Sequence, residues 1–252
     1  MITSIENPRV KEVLRLRRSA QRRRTGLFVA EGRREVERAA GSGLVVRAVY
    51  VAPELIGDWR DDAATHVSAT EVSAKVLAHM SYRSEPEGVL AVVEAPRRAV
   101  PDDPTLLLVA VGIEKPGNLG AMARTADAAG ADALLVGDAR ADPWNPNAIR
   151  ASTGAVFTLP IVEITREELA DLPVQKVAAT LGAATTHAAA NLTKPTAIMI
   201  GAEDAGLPED WRALADVEVE IPMRGRTADS LNAGAAAAIL LFEAVRQRSA
   251  PA

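Results

Sequence analysis

Short apolar runs alternate with amphipathic segments along almost the whole chain. Within residues 1–95, three runs have the length and the β-branched content that are typical of strands: "LFVAEG", "VVRAVYVAP" and "EGVLAVVEAP". The segments between them carry apolar residues at helical spacing: "NPRVKEVLRLRRSAQRRR", "RREVERAAGSG" and "VSAKVLAHMS". Strands that alternate with helices predict a small α/β domain over residues 1–95.

The same alternation is stronger over residues 105–252. The run "LLLVAVG" (106–112) is apolar throughout, which is typical of a strand buried on both faces. A helix is predicted over 118–129, and the further predicted strands are "ADALLVG", "AVFTLPIVE", "KVAATLG", "TAIMIGAE" and "VEVEIPM". This pattern predicts a parallel sheet covered by helices. Residues 96–104, "PRRAVPDDP", combine three prolines with four charged residues and are predicted to be the linker between the two domains.

Composition excludes several classes of protein. Apolar residues make up 48% of the chain and charged residues 25%, as in globular proteins. The absence of cysteine excludes disulfides, thiolate metal sites and a cysteine nucleophile. No apolar run approaches the roughly 20 residues of a membrane helix, and the N-terminus lacks the apolar core of a secretion signal. We therefore expect a cytoplasmic location, with neither a membrane nor a metal involved.

Charge is distributed unevenly along the chain. The net charge is −4, yet residues 1–40 contain eleven Arg or Lys and five Glu, a balance of +6, so the remaining residues carry −10. A basic end favours a polyanionic partner, although a solvated helix face would have the same composition. The chain has only 3 Trp, 2 Tyr and 3 Phe, which argues against binding of single strands on an aromatic platform.

Ligands of open α/β sheets bind beyond the carboxyl ends of the strands. The first polar exit, "GIEKPGNLGAMARTADAAGADALLV", places Asn118 as a predicted helix N-cap and Gly130 as the helix stop. Arg124 points away from the apolar stripe of this helix, toward solvent or a ligand. The segment has neither a dinucleotide-binding glycine fingerprint nor a P-loop lysine, and a solvated surface arginine is the simpler alternative. The residues of the predicted buried stripe are Leu119, Met122, Ala126 and Ala129.

Two further exits are candidates for ligand binding. In "AIMIGAEDAGLPEDW", Gly201 and Gly206 permit close approach of the backbone, and Glu203 lies at the tip of the turn, where it could also serve only the turn itself. In "IPMRGRTADSLNAGAAAAILLFEAVRQR", the polar loop exceeds the four to six residues of an ordinary connection. Ser230 is a predicted helix cap, whereas Asn232 in the predicted first turn suggests another role, because Asn is a mediocre helix former.

Together, "PGNLGAMARTADAAGA", "IMIGAEDAGLP" and "IPMRGRTADSLNAGAAAAILLFEAVRQR" resemble the three signature motifs of the SpoU (TrmH-type) RNA 2′-O-ribose methyltransferases of the SPOUT superfamily. The segment "AIRASTGAVFTLPI" also resembles that family. The first 40 residues are similar to the L30e-like substrate-binding domain of members that modify ribosomal RNA. The chain departs from the family pattern in a loop one residue longer than the usual "IPM…SLN" spacing, in "SLNAGAAAA" where "SLNVSVA" is commoner, and in Asp204 where a glycine is frequent.

The resemblance implies a C-terminal SPOUT domain with a deep trefoil knot, which would be an exception to the rule that folds are unknotted. It implies S-adenosyl-L-methionine as cofactor and a homodimer formed through the knotted domain. By the same resemblance, the cofactor site is lined by Gly201, Ile221, Met223 and Leu231, and the catalytic group is Asn118, Arg124, Glu203, Ser230 and Asn232. The basic N-terminal segment then binds RNA, and its expected contacts are Arg15, Arg17, Arg18, Arg22, Arg23 and Arg24.

The predicted function is that of an S-adenosylmethionine-dependent RNA 2′-O-ribose methyltransferase acting on ribosomal RNA of the 23S type. Transfer RNA as substrate and a cofactor-binding RNA-binding protein without turnover are the alternatives. A nucleotide-dependent oxidoreductase is disfavoured by the missing glycine fingerprint. Because arginine stays protonated, Arg124 is predicted to bind the adjacent phosphate and orient the hydroxyl, with the proton leaving to phosphate or water.

Overall fold

The computed structural model describes residues 1–57, 67–227 and 229–249. The chain forms two compact units, one of Met1–Arg97 with Trp144–Thr158 and the other of Arg98–Pro143 with Leu159–Ala252. The segment 144–158 thus belongs to the same unit as the N-terminal residues, although it connects two strands of the other unit's sheet.

The helices and strands are α1 (Pro8–Arg15), α2 (Ser19–Thr25), β1 (Leu27–Glu31), α3 (Arg33–Gly41), β2 (Val46–Val51), α4 (Pro53–Ile56), β3 (Thr70–Glu71), α5 (Ala74–Met80), β4 (Val89–Glu94), β5 (Leu106–Val111), α6 (Pro116–Ala128), β6 (Ala133–Gly137), α7 (Pro146–Ser152), β7 (Ile161–Glu163), α8 (Arg166–Asp171), β8 (Gln175–Ala179), β9 (Thr185–Thr186), β10 (Thr196–Ile200), α9 (Glu209–Arg212), β11 (Val217–Glu220) and α10 (Ala233–Ser249).

The first unit is built on a four-stranded sheet in the order β1-β4-β2-β3. Strand β4 is antiparallel to both β1 and β2, and β3 is parallel to β2. The segment 144–158 is joined to this unit by an aromatic stack, because the ring of Phe28 lies 4.7 Å from that of Trp144 and 5.8 Å from that of Phe157. These contacts join positions far apart in sequence, which a local pattern cannot indicate. The expected small α/β unit is confirmed.

The single amphipathic helix predicted over "NPRVKEVLRLRRSAQRRR" is wrong, since the segment forms two helices, α1 and α2. Arg22 explains the break. Its guanidinium is buried and donates hydrogen bonds to the carbonyl oxygens of Leu16, at 2.7 Å, and Arg17, at 2.9 Å. Those carbonyls would otherwise be left without partners at the end of α1.

The second unit has a seven-stranded sheet in the order β7-β6-β5-β10-β8-β11-β9. All its strand pairs are parallel, which confirms the predicted parallel sheet. Every residue of β5 is buried, and helices α6 and α10 pack against each other.

Strand β9 was not predicted, and the trefoil knot remains a prediction. None of the helices within 1–57, 67–227 and 229–249 is long and apolar enough to cross a membrane.

Two predicted elements of this chain region need correction. The run "AVFTLPIVE" is a strand only at Ile161–Glu163, because Gly154, with φ of +91°, is followed by a 3-10 turn at Ala155–Phe157. Helix α6 begins at Pro116, whose fixed φ suits the first helical position, so Asn118 lies in the first turn and is not the N-cap. The stripe prediction is confirmed for Leu119, Met122 and Ala126, which are fully buried, whereas Ala129 is half-buried.

Candidate active site

The exit of β10 is a tight turn that requires glycine at position 201. The amide of Gly206 donates to the carbonyl of Ala202 at 2.9 Å, which folds the turn back on itself. A β-carbon on Gly201 would lie 2.1 Å from the carbonyl carbon of Gly206 and 2.3 Å from the amide nitrogen of Leu207. Any larger residue at position 201 would therefore force this turn open.

A cavity of about 340 Å³ lies against this turn. Its walls come from the residues that follow β8, β10 and β11 and from the start of α10. The four predicted cofactor residues Gly201, Ile221, Met223 and Leu231 all line it, as do Glu203 and Ser230. The structure thus brings together, in one cavity, residues from two of the strand exits singled out by the sequence.

A network of four polar residues reaches this cavity through Glu203, which lines it. The side-chain amide of Asn232 donates to Asn118 Oδ1 at 3.1 Å and to Glu203 Oε1. The other carboxylate oxygen of Glu203 accepts from Lys115 Nζ at 2.8 Å. Glu203 therefore connects the start of α6 with the start of α10. The network thus links the exit of β5, which carries Lys115 and Asn118, to the other two exits.

Asn232 also starts the last helix. Its Oδ1 accepts from the amides of Gly234, at 3.0 Å, and Ala235, at 3.3 Å, as the side chain of an N-cap residue does. Helix α10 begins at Ala233, so the prediction that Ser230 caps it is wrong, and Asn232 lies before the first turn and not within it. A single side chain thus uses its oxygen to cap the helix and its nitrogen to hold the polar network.

Glu203 is ionised at neutral pH. The hydrogen bond from Lys115 holds the pKa of the Glu203 carboxyl below its ordinary value, with smaller contributions from Asn118 and Asn232, while burial acts in the opposite direction. The same bond raises the pKa of Lys115. The Lys115 side chain is 73% exposed and that of Glu203 is 26% exposed, so solvent screens this ion pair.

Arg124 is exposed on α6 and is not joined to this network. Its guanidinium has no hydrogen-bond or ion-pair partner within the described part of the chain, so it is available to a ligand. Helices α6 and α10 pack closely in the same region, where a β-carbon on Gly234 would lie 3.3 Å from that of Ala121. The predicted outward direction of Arg124 is confirmed by its exposure.

The six arginines predicted to bind RNA lie in the other unit and have different surroundings. Arg22 is buried against backbone carbonyls, which favours a structural role over contact with RNA. Arg17 donates to the carbonyls of His79, at 2.9 Å, and Ser81, at 2.6 Å. The remaining members of the set are all exposed: Arg15, Arg18, Arg23 and Arg24.

Several residues of the site were not predicted from the sequence. Lys115 contacts Glu203, and Thr180 and Leu181 line the cavity just after β8. The exit of β8 could have been found by the same strand-end rule that selected the other exits. Lys115 carried no such signal, because its partner is 88 residues away. Where the structure describes the chain, it holds no cluster of three His, Asp or Glu side chains suited to a metal ion.

A helix-covered parallel sheet with a cavity at its carboxyl edge defines the class of α/β proteins that bind ligands beyond their strand ends. Comparison with known proteins narrows the class. The profile of the SpoU rRNA Methylase family matches residues 105–242, and that of the MRM3-like substrate binding domain matches residues 7–91. The chain therefore belongs to the SpoU family of the SPOUT superfamily.

Relatives of the chain match nearly its whole length. A 23S rRNA (uridine(2479)-2′-O)-methyltransferase of Streptomyces viridochromogenes is 35% identical over 90% of this chain and 85% of the relative. The chain is 41% identical in sequence to an RNA 2′-O ribose methyltransferase of known crystal structure. The two structures match over 98% of each chain, with a TM-score of 0.85. The AdoMet-bound rRNA methyltransferase of Sinorhizobium meliloti is 31% identical, covers 99% of this chain and 98% of its own, and has a TM-score of 0.88.

Proposed function

We propose that this chain transfers a methyl group from S-adenosylmethionine to a ribose 2′-hydroxyl of ribosomal RNA, of the 23S type. The observation that carries the proposal is the cavity of about 340 Å³, lined by Glu203, which the amide of Asn232 joins to Asn118. Family membership and the named activities of the relatives support it. We expect the enzyme to act in the cytoplasm, where its proposed substrate is found.

The residues of the cavity fit S-adenosylmethionine. The volume of the cavity falls in the range of small-ligand sites. The cavity lining combines apolar side chains, among them Ile221 and Leu231, with the backbone of the turn at Gly201. Because Gly201 has no β-carbon, that turn presents bare backbone to a ligand. We assign Gly201, Ile221, Met223 and Leu231 to cofactor binding. When bound there, the cofactor supplies a methyl carbon that is already activated by its positively charged sulfur.

Arg124 is assigned to the RNA. Its guanidinium is exposed and unpaired among the residues that the structure describes, and it suits an anionic phosphate next to the target ribose. Since arginine stays protonated, its proposed role is to hold the phosphate and orient the hydroxyl, and the proton leaves to phosphate or water. Asn118, which Asn232 holds at 3.1 Å, is assigned to positioning the ribose.

Glu203 is a poor candidate for the base. The hydrogen bond from Lys115 lowers its pKa, and a carboxylate with a lowered pKa is a weak proton acceptor at neutral pH. Its proposed role is to hold the amide of Asn232 and the ammonium of Lys115 in place. Ser230 is exposed and lines the cavity, so its hydroxyl is assigned to positioning within the catalytic group.

RNA is also proposed to contact the exposed arginines of the first unit, Arg15, Arg18, Arg23 and Arg24. Contacts of this kind are made with phosphates and give an affinity that falls steeply with salt. Arg17 and Arg22 are assigned a structural role, because their guanidinium groups donate hydrogen bonds to backbone carbonyls.

We propose that the chain forms a homodimer through the outer face of α10. Ile239 and Phe242 are one turn apart on that helix and are 37% and 47% exposed. Contiguous exposed apolar patches are a feature of protein–protein contact surfaces, and these two side chains are neighbours on one face of the helix. The face belongs to the unit that carries the candidate site, in agreement with the dimer that the family resemblance implies.

Transfer of a tritium-labelled methyl group from S-adenosylmethionine to purified RNA tests the proposal. Ribosomal RNA, transfer RNA and no RNA are compared with the same enzyme preparation. Label in ribosomal RNA is the expected result. Label confined to transfer RNA would favour the alternative substrate, and cofactor binding without transfer to either RNA would favour a binding protein without turnover.

A further inference from the structure

A second cleft, of about 760 Å³, lies wholly within the first unit and is separate from the candidate active site. Its walls are the start of α3, the loop from Tyr82 to Glu87, and α7. The residues that matter for its chemistry are Arg34, Tyr82, Arg83, Asn147 and Arg150, and we name it the Tyr82 cleft. Because α7 comes from the segment 144–158, this wall is contributed by the part of the chain that matches the SpoU family profile.

The loop that carries Tyr82 is fixed by charged side chains. The buried carboxylate of Glu31 accepts from the amides of Tyr82, at 2.8 Å, and Arg83, at 3.2 Å. The guanidinium of Arg17 donates to the carbonyl of Ser81 at 2.6 Å. Burial of a carboxylate is costly unless it is well hydrogen-bonded, so its use here to hold one turn favours a defined position for the tyrosine.

The arginines of the cleft are also held in place. Glu35, whose side chain is 2% exposed, accepts from Arg34 Nη2 at 2.7 Å and from Arg83 Nη2 at 3.3 Å. Arg83 forms a second ion pair, with Glu87. On the opposite wall, Arg150 Nη2 donates to Asn147 Oδ1 at 3.1 Å. Guanidinium groups fixed in this way lose less conformational entropy when a ligand binds them.

The charge of the cleft decides between ligands. Three arginines line it together with three glutamates, Glu35, Glu85 and Glu87, so it is close to neutral. A duplex, which carries a dense row of phosphates, would favour a strongly basic surface. A single nucleotide has one phosphate, a flat aromatic face and an edge of donors and acceptors, and it matches a mixed cleft with one exposed ring.

We propose that the Tyr82 cleft binds one unpaired nucleotide of the RNA substrate, with its base stacked on the ring of Tyr82 and its phosphate held by Arg150 or Arg34. This rests on the proposed function, because it assumes an RNA substrate. Tyr82 is 47% exposed and lines the cleft, and unstacked bases of RNA loops are commonly bound on tyrosine rings and guanidinium planes. The low aromatic content argues against an extended platform, but one ring is sufficient for one base.

The test uses the full chain and a fluorescent, single-stranded RNA of mixed sequence, with binding measured by anisotropy. Tyr82→Ala and Arg150→Ala are compared with Tyr82→Phe, which keeps the ring, and with Lys75→Ala, which removes an exposed cation from α5 of the same unit. Loss of the ring is expected to weaken binding about five- to a hundredfold, the usual effect of losing one stacked base. Tyr82→Phe and Lys75→Ala are expected to bind like the parent protein, and duplex RNA is expected to bind all variants alike.

Calorimetric titration of each variant with S-adenosylmethionine shows that the rest of the protein is intact. If the parent protein methylates RNA while Tyr82→Ala and Arg150→Ala bind single-stranded RNA as it does, the cleft assignment is wrong and the proposed function stands. If the parent protein methylates no RNA but the two variants still lose RNA affinity, the proposed function is wrong and the cleft assignment stands. An equal loss in Lys75→Ala would show a general charge effect and would also overturn the cleft assignment.

Discussion

Arg22 and Arg23 are adjacent on α2, yet one is buried and the other is exposed. Replacing Arg22 by Ala leaves the carbonyls of Leu16 and Arg17 without their donor. We expect this change to lower the free energy of unfolding by about 1–3 kcal/mol, as measured by urea denaturation. Arg23→Ala is the matched control for stability, and it should instead weaken RNA binding and reduce its salt dependence by about one phosphate contact. An unchanged free energy of unfolding in Arg22→Ala would contradict the structural role of that residue.

Arg124 is the residue on which the proposed chemistry depends most. Arg124→Ala should lower the rate of methyl transfer by about a hundredfold or more, because orientation of the hydroxyl is lost, while the affinity for S-adenosylmethionine is unchanged. Lys194→Ala removes another exposed cation of the same unit and should leave both quantities unaltered. Near-normal transfer by Arg124→Ala would remove this residue from the catalytic group.

The contact between Lys115 and Glu203 makes the polar network sensitive to acid. The folded-state pKa of Glu203 lies below its ordinary value of 4.5, so the network is complete above that value and is lost as the pH falls through the lowered pKa. Lys115→Met removes the main cause of the lowering and should raise this pKa. We therefore expect the acid limb of the profile of kcat/KM against pH to move to higher pH in Lys115→Met. An unmoved acid limb would show that another group controls it.

At the scale of elements, the turn after β10 tests whether the cavity binds the cofactor. In Gly201→Ala, the new β-carbon would lie 2.1 Å from the carbonyl carbon of Gly206, so the turn must open. The affinity for S-adenosylmethionine, measured by calorimetry, should fall by about tenfold or more, because displaced backbone no longer lines the cavity. Gly41→Ala is the control, since nothing lies within 4 Å of its β-carbon. Unchanged cofactor affinity in Gly201→Ala would place the cofactor elsewhere.

Strands that are continuous apolar runs could be predicted, as for β5, which is buried at every position, whereas the two-threonine strand β9 has no such run and was missed. The ends of helices were less predictable. The break after α1 depends on Arg22 reaching back to Leu16, and the start of α10 depends on Asn232, which a motif-based interpretation had assigned only to chemistry. Sequence patterns report burial and local propensity, whereas these boundaries are set by individual side-chain hydrogen bonds.

The candidate site shows the same limit. The strand-end rule led to Glu203 and Gly201 because each follows a buried strand. The contact of Lys115 with Glu203 could not be predicted, since it joins positions that only the tertiary fold brings together. Motif resemblance supplied the roles of Asn118 and Asn232, and the hydrogen bond between them supports that assignment.

At the scale of the whole molecule, the two units do not coincide with two continuous stretches of sequence. The rings of Trp144 and Phe157 stack on Phe28, so removal of residues 1–95 would deprive them of their partner. Substitutions of exposed side chains therefore separate RNA binding from cofactor binding more cleanly than removal of the N-terminal residues. The boundaries 1–95 and 105–252 stay a proposal about where independent folding units could be cut.

The most direct test of the central claim is the position of the transferred methyl group. Ribosomal RNA labelled by the enzyme and tritiated S-adenosylmethionine is hydrolysed with alkali, which cleaves RNA only next to a free 2′-hydroxyl. We predict that the label is recovered in alkali-resistant dinucleotides, because the ribose oxygen carries the methyl group. Label recovered in single nucleotides would place the methyl group on a base and contradict the account.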